Sequence, residues 1–241
     1  MNENYAKLYL TSLDAEDIAK ATWGELHKQN GGWGRRESVL TTDSRIKEEH
    51  GIFAAITGER VDGHLFIADE LRRGVRIIIA EHMPEYGEGD EDAASIPADF
   101  IIVNNTVSAL LRLGCMFIEK SGVKRIAVTG SVGKTTTKEF IYSVLSQRRK
   151  THKTSGNKNT AIGTSLTALE IECDAEYAVF ECGMSGFGEI SEMSRTICPH
   201  IGVITNIGTA HMEMLGSREN IAKAKLEMLD GMNPDSVLII N

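Results

Sequence analysis

The sequence predicts an α/β chain of two domains, a small α/β domain over residues 1–120 and a mostly parallel-sheet domain over residues 121–241. Three observations carry that expectation. Short apolar runs alternate with polar stretches of helical length, the alternation becomes regular after Ser121, and there a glycine-containing turn leads from an apolar run directly into a helical pattern.

In the first domain, IFAAI (52–56), VRIIIA (75–80) and FIIV (100–103) are strand-sized runs. Between the last two lies PEYGEGDEDAASIP, acidic and rich in Gly and Pro, which is expected to be an exposed, solvated loop. TVSALLRLGCMFIE (106–119) carries a helical apolar pattern and runs into SGVKR, a composition that suggests a boundary near Ser121. Beyond it, IAV (126–128), AVF (178–180), IGVITNI (201–207) and VLII (237–240) are aliphatic runs separated by helical stretches. Such strands imply a parallel sheet covered on both faces, whose ligands collect at the carboxyl ends of the strands. The first helix of this domain is expected to bury Phe140, Ile141, Val144 and Leu145 on one face.

Composition narrows the function. With 41% hydrophobic and 25% charged residues the 241-residue chain is globular, and a net charge of −8 argues against a protein that coats nucleic acid. The longest apolar runs fall far short of the roughly 20 residues of a membrane span. The N-terminus has acidic residues where a signal peptide would be basic and then apolar, so a cytoplasmic protein is expected. Cys115, Cys173, Cys182 and Cys198 lack metal-ligand spacing and read as free thiols. Trp23 and Trp33 read as packing or loop residues.

The segment IAVTGSVGKTTTK (126–138) is a strand, a tight turn and a helix start. Gly130 and Gly133 allow the amides of Ser131, Val132 and the residues that follow to converge on a phosphate, and the new helix points its dipole at the same place. Lys134 then meets the β- and γ-phosphates and the hydroxyl of Thr135 meets Mg²⁺, with Thr136 beside it in the turn. The general pattern has Gly five positions before Gly133, where this chain has Val128.

Three polar groups follow predicted strand ends. Glu181 closes YAVFE; a carboxylate there suits Mg²⁺, although a lone strand-end Glu is otherwise a solvated terminus. His211 lies in NIGTAH, where a lone loop histidine is as often structural. Lys223 and Lys225 lie two residues apart in a helical stretch, a turn of about 200° that points them opposite ways, and their residue type alone does not choose between them.

In their order these segments resemble the Mur ligase family over nearly the whole chain from Thr42. TGSVGKTTTK (129–138) is similar to the family's ATP turn, which itself lacks the first glycine. ECGMSGFGEI (181–190) and ITNIGTAHMEMLGSRENIAKAK (204–225) resemble the members that add D-alanyl-D-alanine. The resemblance implies ATP and Mg²⁺, with Glu181 and His211 helping to hold the metal and Lys225, at the family's A-x-A-K position, carbamylated by CO₂. TSGNKNTAIG (154–163) is similar to the loop that meets the muramyl-peptide, with Asn157, Asn159 and Thr160 at its polar positions; Thr160 stands where the family has a second Asn, and Ser165 where it has Pro. TDSR (42–45) and GERVDGH (58–64) resemble uridine-diphosphate-binding signatures, from which Ser44, Arg45 and His64 carry over.

The activity implied is ATP-dependent amide formation between UDP-N-acetylmuramoyl-tripeptide and D-alanyl-D-alanine through an acyl phosphate, by a monomer. Family members carry a third domain that closes the site, so the chain is expected to be a fragment that binds substrates without completing catalysis. The alternatives are a diamino-acid-adding sister ligase, which GMSGFGEI disfavours, and a P-loop module without ligase chemistry, which the uridine-type signatures disfavour.

Overall fold

The computed structural model describes residues 5–7, 14–29, 39–46, 51–58, 61–87 and 89–241. They form two compact units, Met1–Leu113 and Gly114–Asn241. The divide falls inside a helix rather than at its end near Ser121, because the second half of that helix contributes Ile118 to the core of the second unit.

The first unit contains, in chain order, β1 (Tyr5–Lys7), α1 (Ala15–Thr22), β2 (Glu25–His27), β3 (Val39–Thr41), β4 (Ile52–Ala54), α2 (Ile67–Arg72), β5 (Ile77–Ala80) and β6 (Asp99–Ile102), and α3 (Thr106–Ser121) begins in it. Its six-stranded sheet runs β1-β3-β4-β5-β6-β2. The four central strands are parallel and the two outer ones antiparallel. β5 is buried along its whole length, as a continuous aliphatic strand between covered faces should be. Phe53, Ile67, Ile78 and Phe100 fill one core cluster. The residues Glu59, Arg60, Glu88 and Trp33 lie outside the described set.

The acidic stretch after β5 is largely exposed, as its composition implies, but it is anchored. Arg72 at the end of α2 donates to Asp90 and Asp92 at 2.7 Å and to the Gly89 carbonyl at 3.1 Å. Behind this clasp a short 3₁₀ turn, Ala93–Ser95, buries Ala93, and Tyr86 and Ile96 pack on the core. Composition marked the loop as polar, whereas the pairing that anchors its acids comes from a helix earlier in the chain.

The second unit contains β7 (Lys124–Thr129), α4 (Lys134–Leu145), β8 (Thr151–Lys153), α5 (Ala161–Leu169), β9 (Tyr177–Glu181), α6 (Glu189–Ile197), β10 (Ile201–Ile204), α7 (Met212–Leu215), α8 (Arg218–Leu226) and β11 (Val237–Ile240). Its sheet, β11-β10-β7-β9-β8, is parallel throughout. Side chains alternate across it: Ala127 and Phe180 join the core under α6 and α8, while Ile126, Val128 and Val179 pack against Ile141 and Leu145 of α4. Phe140 and Val144, expected in the same apolar stripe, are exposed. Of these four residues only Ile141 and Leu145, one turn apart, face the sheet; their neighbours are rotated about 100° away.

The order of strands decides where a ligand belongs. From β7 the chain passes to β8 and β9 on one side, then crosses to β10 and β11 on the other. This reversal puts a crevice at the carboxyl end of β7, the place where open parallel sheets bind ligands.

Candidate active site

The turn after β7 fills that crevice. Gly130 has φ of +150°, and a Cβ there would stand 1.9 Å from the Thr205 hydroxyl. β10, expected to run to Ile207, leaves the sheet after Ile204, and the freed residues grip the turn. The Thr205 hydroxyl donates to the Val132 carbonyl at 2.6 Å. The Asn206 side chain accepts from the Val132 amide at 3.0 Å, its carbonyl accepts from the Ser131 amide, and the Gly208 amide donates to the Ser131 hydroxyl. Sequence reasoning did not assign Thr205 and Asn206; their signal was a polar pair directly after an aliphatic strand.

Several other helix starts are closed by side chains: Asp14 caps α1, Thr160 caps α5 and Ser217 caps α8, whereas the short helices α2 and α7 have no side-chain cap. Glu227 closes α6 by accepting from the Gly188 and Ser191 amides. The start of α4 behind Gly133 has no side-chain cap, which leaves its first amides open to an anion. Lys134 donates to the Gly130 carbonyl at 2.9 Å, so its ammonium lies folded over the turn, and Thr135 and Thr136 are exposed.

Glu181 ends β9 but is not solvated; it is 2% exposed. Its Oε1 accepts from the Thr135 hydroxyl at 3.1 Å and from Asn159 Nδ2 at 3.3 Å, and its amide donates to the buried Thr154 hydroxyl. Its Oε2 accepts no hydrogen bond among the described residues, although the ammonium of Lys138, itself 1% exposed, lies 3.3 Å away. Thr135 and Lys138 reach the same carboxylate because residues three apart share a helix face. The phosphate turn, the 154–160 loop and the β9 end therefore meet on one group. A buried carboxylate beside a threonine hydroxyl is a hard-oxygen donor set that fits Mg²⁺.

The other expected residues vary in placement. Lys225 is buried on the apolar face of α8 with Ile221 and Ala224, while Lys223 is exposed. Burial, with a further push from the Lys134 ammonium, lowers the Lys225 pKa to about 8. His211 is exposed in a left-handed conformation at the start of α7, and no hydrogen bond or ion pair joins it to Glu181. Asn157 and Asn159 are hydrogen-bonded to each other, and the Thr160 hydroxyl accepts from the Gly163 amide. None of the four cysteines is in a disulfide, and Cys182 is the buried one.

In the first unit, Thr42, Ser44, Arg45 and Gly63 line one cavity of about 540 Å³ with Phe53 and Phe66 at its apolar side. Both uridine-type signatures thus border the same space. Asp43 accepts from the Arg45 Nε and Nη2 at 2.8 and 2.6 Å and fixes the turn. Beneath it Arg73 donates to the Ser44 carbonyl and to buried Glu70. Burial pushes the Glu70 carboxyl up to about 7, against the pull of Arg73. His64 is buried with both ring nitrogens engaged: Nδ1 donates to Asp62 at 2.6 Å and Nε2 accepts from the Glu81 amide at 2.9 Å. It braces the signature rather than presenting a free nitrogen.

A glycine turn between the central strand of a parallel sheet and an uncapped helix defines a P-loop protein. Residues 128–241 match the Mur ligase middle domain. It is 43% identical over 202 residues to the UDP-N-acetylmuramoyl-tripeptide--D-alanyl-D-alanine ligase of Bacillus subtilis, covering 83% of this chain and 42% of that protein. It is similar to the crystal structure of MurF from Acinetobacter baumannii, with a TM-score of 0.84 and 36% identity over 94% of this chain and 48% of that one. MurF from Thermotoga maritima in complex with ADP matches with a TM-score of 0.74 and 32% identity over 83% of this chain and 45% of that one. The chain spans less than half the length of these relatives.

Proposed function

We propose that this chain supplies the nucleotide- and UDP-sugar-binding parts of an ATP-dependent ligase that joins D-alanyl-D-alanine to UDP-N-acetylmuramoyl-tripeptide. The observation that carries the reading is the convergence on Glu181 of Thr135 from the phosphate turn and Asn159 from the loop expected to meet the acyl substrate. A carboxylate becomes an acyl donor when its oxygen is phosphorylated, and that requires the phosphoryl group and the acyl substrate to share one corner. The open amides of α4 hold the nucleotide phosphates, and Lys134, released from the Gly130 carbonyl, neutralises charge on the group in transfer. Glu181 and Thr135 would hold Mg²⁺, with His211 and Lys225 as further ligands; bound there, the metal supplies charge neutralisation at the phosphates. Buried Lys225, whose lowered pKa leaves much of it as free amine at mildly alkaline pH, is suited to take up CO₂ as a carbamate. The Ser44–Arg45 turn binds the uridine diphosphate. The reading includes a cytoplasmic monomer, which sedimentation tests for its oligomeric half.

Two measurements test it. Calorimetry should show saturable binding of UDP-N-acetylmuramoyl-tripeptide to the 241-residue chain; binding of ADP alone would leave a P-loop module with no ligase substrate. With ¹³C-bicarbonate, a carbamate carbon signal should grow as pH rises towards 8, vanish in Lys225→Ala and persist in Lys223→Ala. The reverse pattern would overturn the assignment of Lys225.

A further inference from the structure

We infer that Lys138 is a positioning residue: a resident counter-cation that holds Glu181 charged and aimed at the phosphate turn before any metal or nucleotide binds. Lysine rarely sits fully buried, because its ammonium gives up hydration that only a close negative charge can replace. Lys138 is among the largest fully buried side chains of the chain. Its Nζ lies 3.3 Å from Glu181 Oε2 and 3.4 Å from Glu139 Oε1. The second contact is subsidiary, since Glu139 is half-exposed and already bound to Lys153. Glu181 is the partner that shares the burial.

Geometry gives the lysine its second duty. The Thr135 and Asn159 donors both lie on Oε1, so hydrogen bonds alone leave Oε2 unrestrained. The ammonium on the Oε2 side completes a three-point hold, with two points from one face of α4 and one from the 154–160 loop. A carboxylate left there without Lys138 would be an uncompensated buried charge beside the anion-binding amides, repelling the phosphates those amides attract. The idea deepens the reading of Glu181 as the metal-side carboxylate, and only its magnesium arm rests on that reading.

The test compares Lys138→Met, Glu181→Gln and the double variant in the 241-residue chain. In EDTA, Lys138→Met should lower Tm by on the order of 10 °C, and the double variant should regain at least half of that loss. Additive losses, or a double variant that fails to fold, would overturn the proposal by showing that the lysine serves packing. A single variant that fails to fold while the double variant folds would support it. ADP affinity supplies a readout that packing would not move. Lys138→Met should bind ADP about tenfold more weakly than wild type in EDTA and return to within about twofold at saturating Mg²⁺. Equal weakening in both conditions counts against the counter-cation. If wild-type affinity for ADP ignores Mg²⁺, the metal reading falls instead, and the metal-free cycle alone decides the role of Lys138.

Discussion

Each unit buries a glutamate beneath a ligand-facing loop, and the two are satisfied differently. Glu181 is held from separate elements, by Thr135 and Lys138 of α4 and by Asn159 of the following loop. Among the described residues Glu70 has one oppositely charged partner, Arg73, three residues on in its own stretch of chain, and burial pushes its carboxyl up to about 7. The first arrangement fixes a position in space, because several independent elements must all move for the carboxylate to move. The second ties a helix end to the Ser44 carbonyl through Arg73 and leaves the side chains of Ser44 and Arg45 at the cavity. One carboxylate is held from several elements; the other anchors the backbone of its turn and leaves Ser44 and Arg45 lining the cavity.

If that contrast holds, perturbations should rank accordingly. The largest effect is expected from Gly130→Ala, where φ of +150° disfavours a side chain and the added methyl would stand 1.9 Å from the Thr205 hydroxyl. Affinity for ADP should fall by at least about 100-fold, with a clear loss of Tm; calorimetric binding close to wild type would show the turn to be adaptable after all. Lys134→Ala removes a charge without a steric clash, so ADP affinity should drop roughly 10- to 100-fold at unchanged Tm. At the looser site, Arg45→Ala removes an exposed side chain. UDP affinity should fall by about tenfold and Tm by no more than about 2 °C, and a large stability loss would put the two sites on the same footing.

The smallest effect is a slope. The folded-state pKa of Glu70, about 7, lies above its ordinary value of 4.5, so between them the native state holds more protons than the unfolded one. Stability of the first unit should therefore be highest at the acidic end of that window, fall as pH rises towards 7, and level off above it. Urea unfolding at pH 5, 6 and 7.5 measures the slope, and Glu70→Gln should flatten it.

The legible parts of the molecule were those whose signal is local. Continuous aliphatic runs announced β5, β7 and β9, and the glycine turn announced the phosphate site, because each needs only its own residues to be recognised. The strands β1 (YAK), β2 (ELH), β3 (VLT) and β8 (THK) were missed: such three-residue segments become strands only through partners distant in the chain. Lys138 reads in sequence as one more helix lysine, and its burial follows from Glu181, which arrives on a strand 43 residues later. The helical spacing from Thr135 was the available hint. Phe140 and Val144 failed for the opposite reason, since an apolar pattern was present and tertiary packing used only part of it.

Trp23 has an optical consequence. The chain has two tryptophans, Trp23 and Trp33, and both belong to the first unit; Trp23 is 78% exposed, with the Arg112 guanidinium 4.0 Å from its ring centre. Indole emission therefore originates wholly in residues 1–113, while the second unit shows itself only through the weaker phenols of Tyr142 and Tyr177. Excitation selective for tryptophan follows the melting of one half of the protein and is blind to the other. A flat tryptophan trace on adding ADP is therefore no evidence that the phosphate turn is empty.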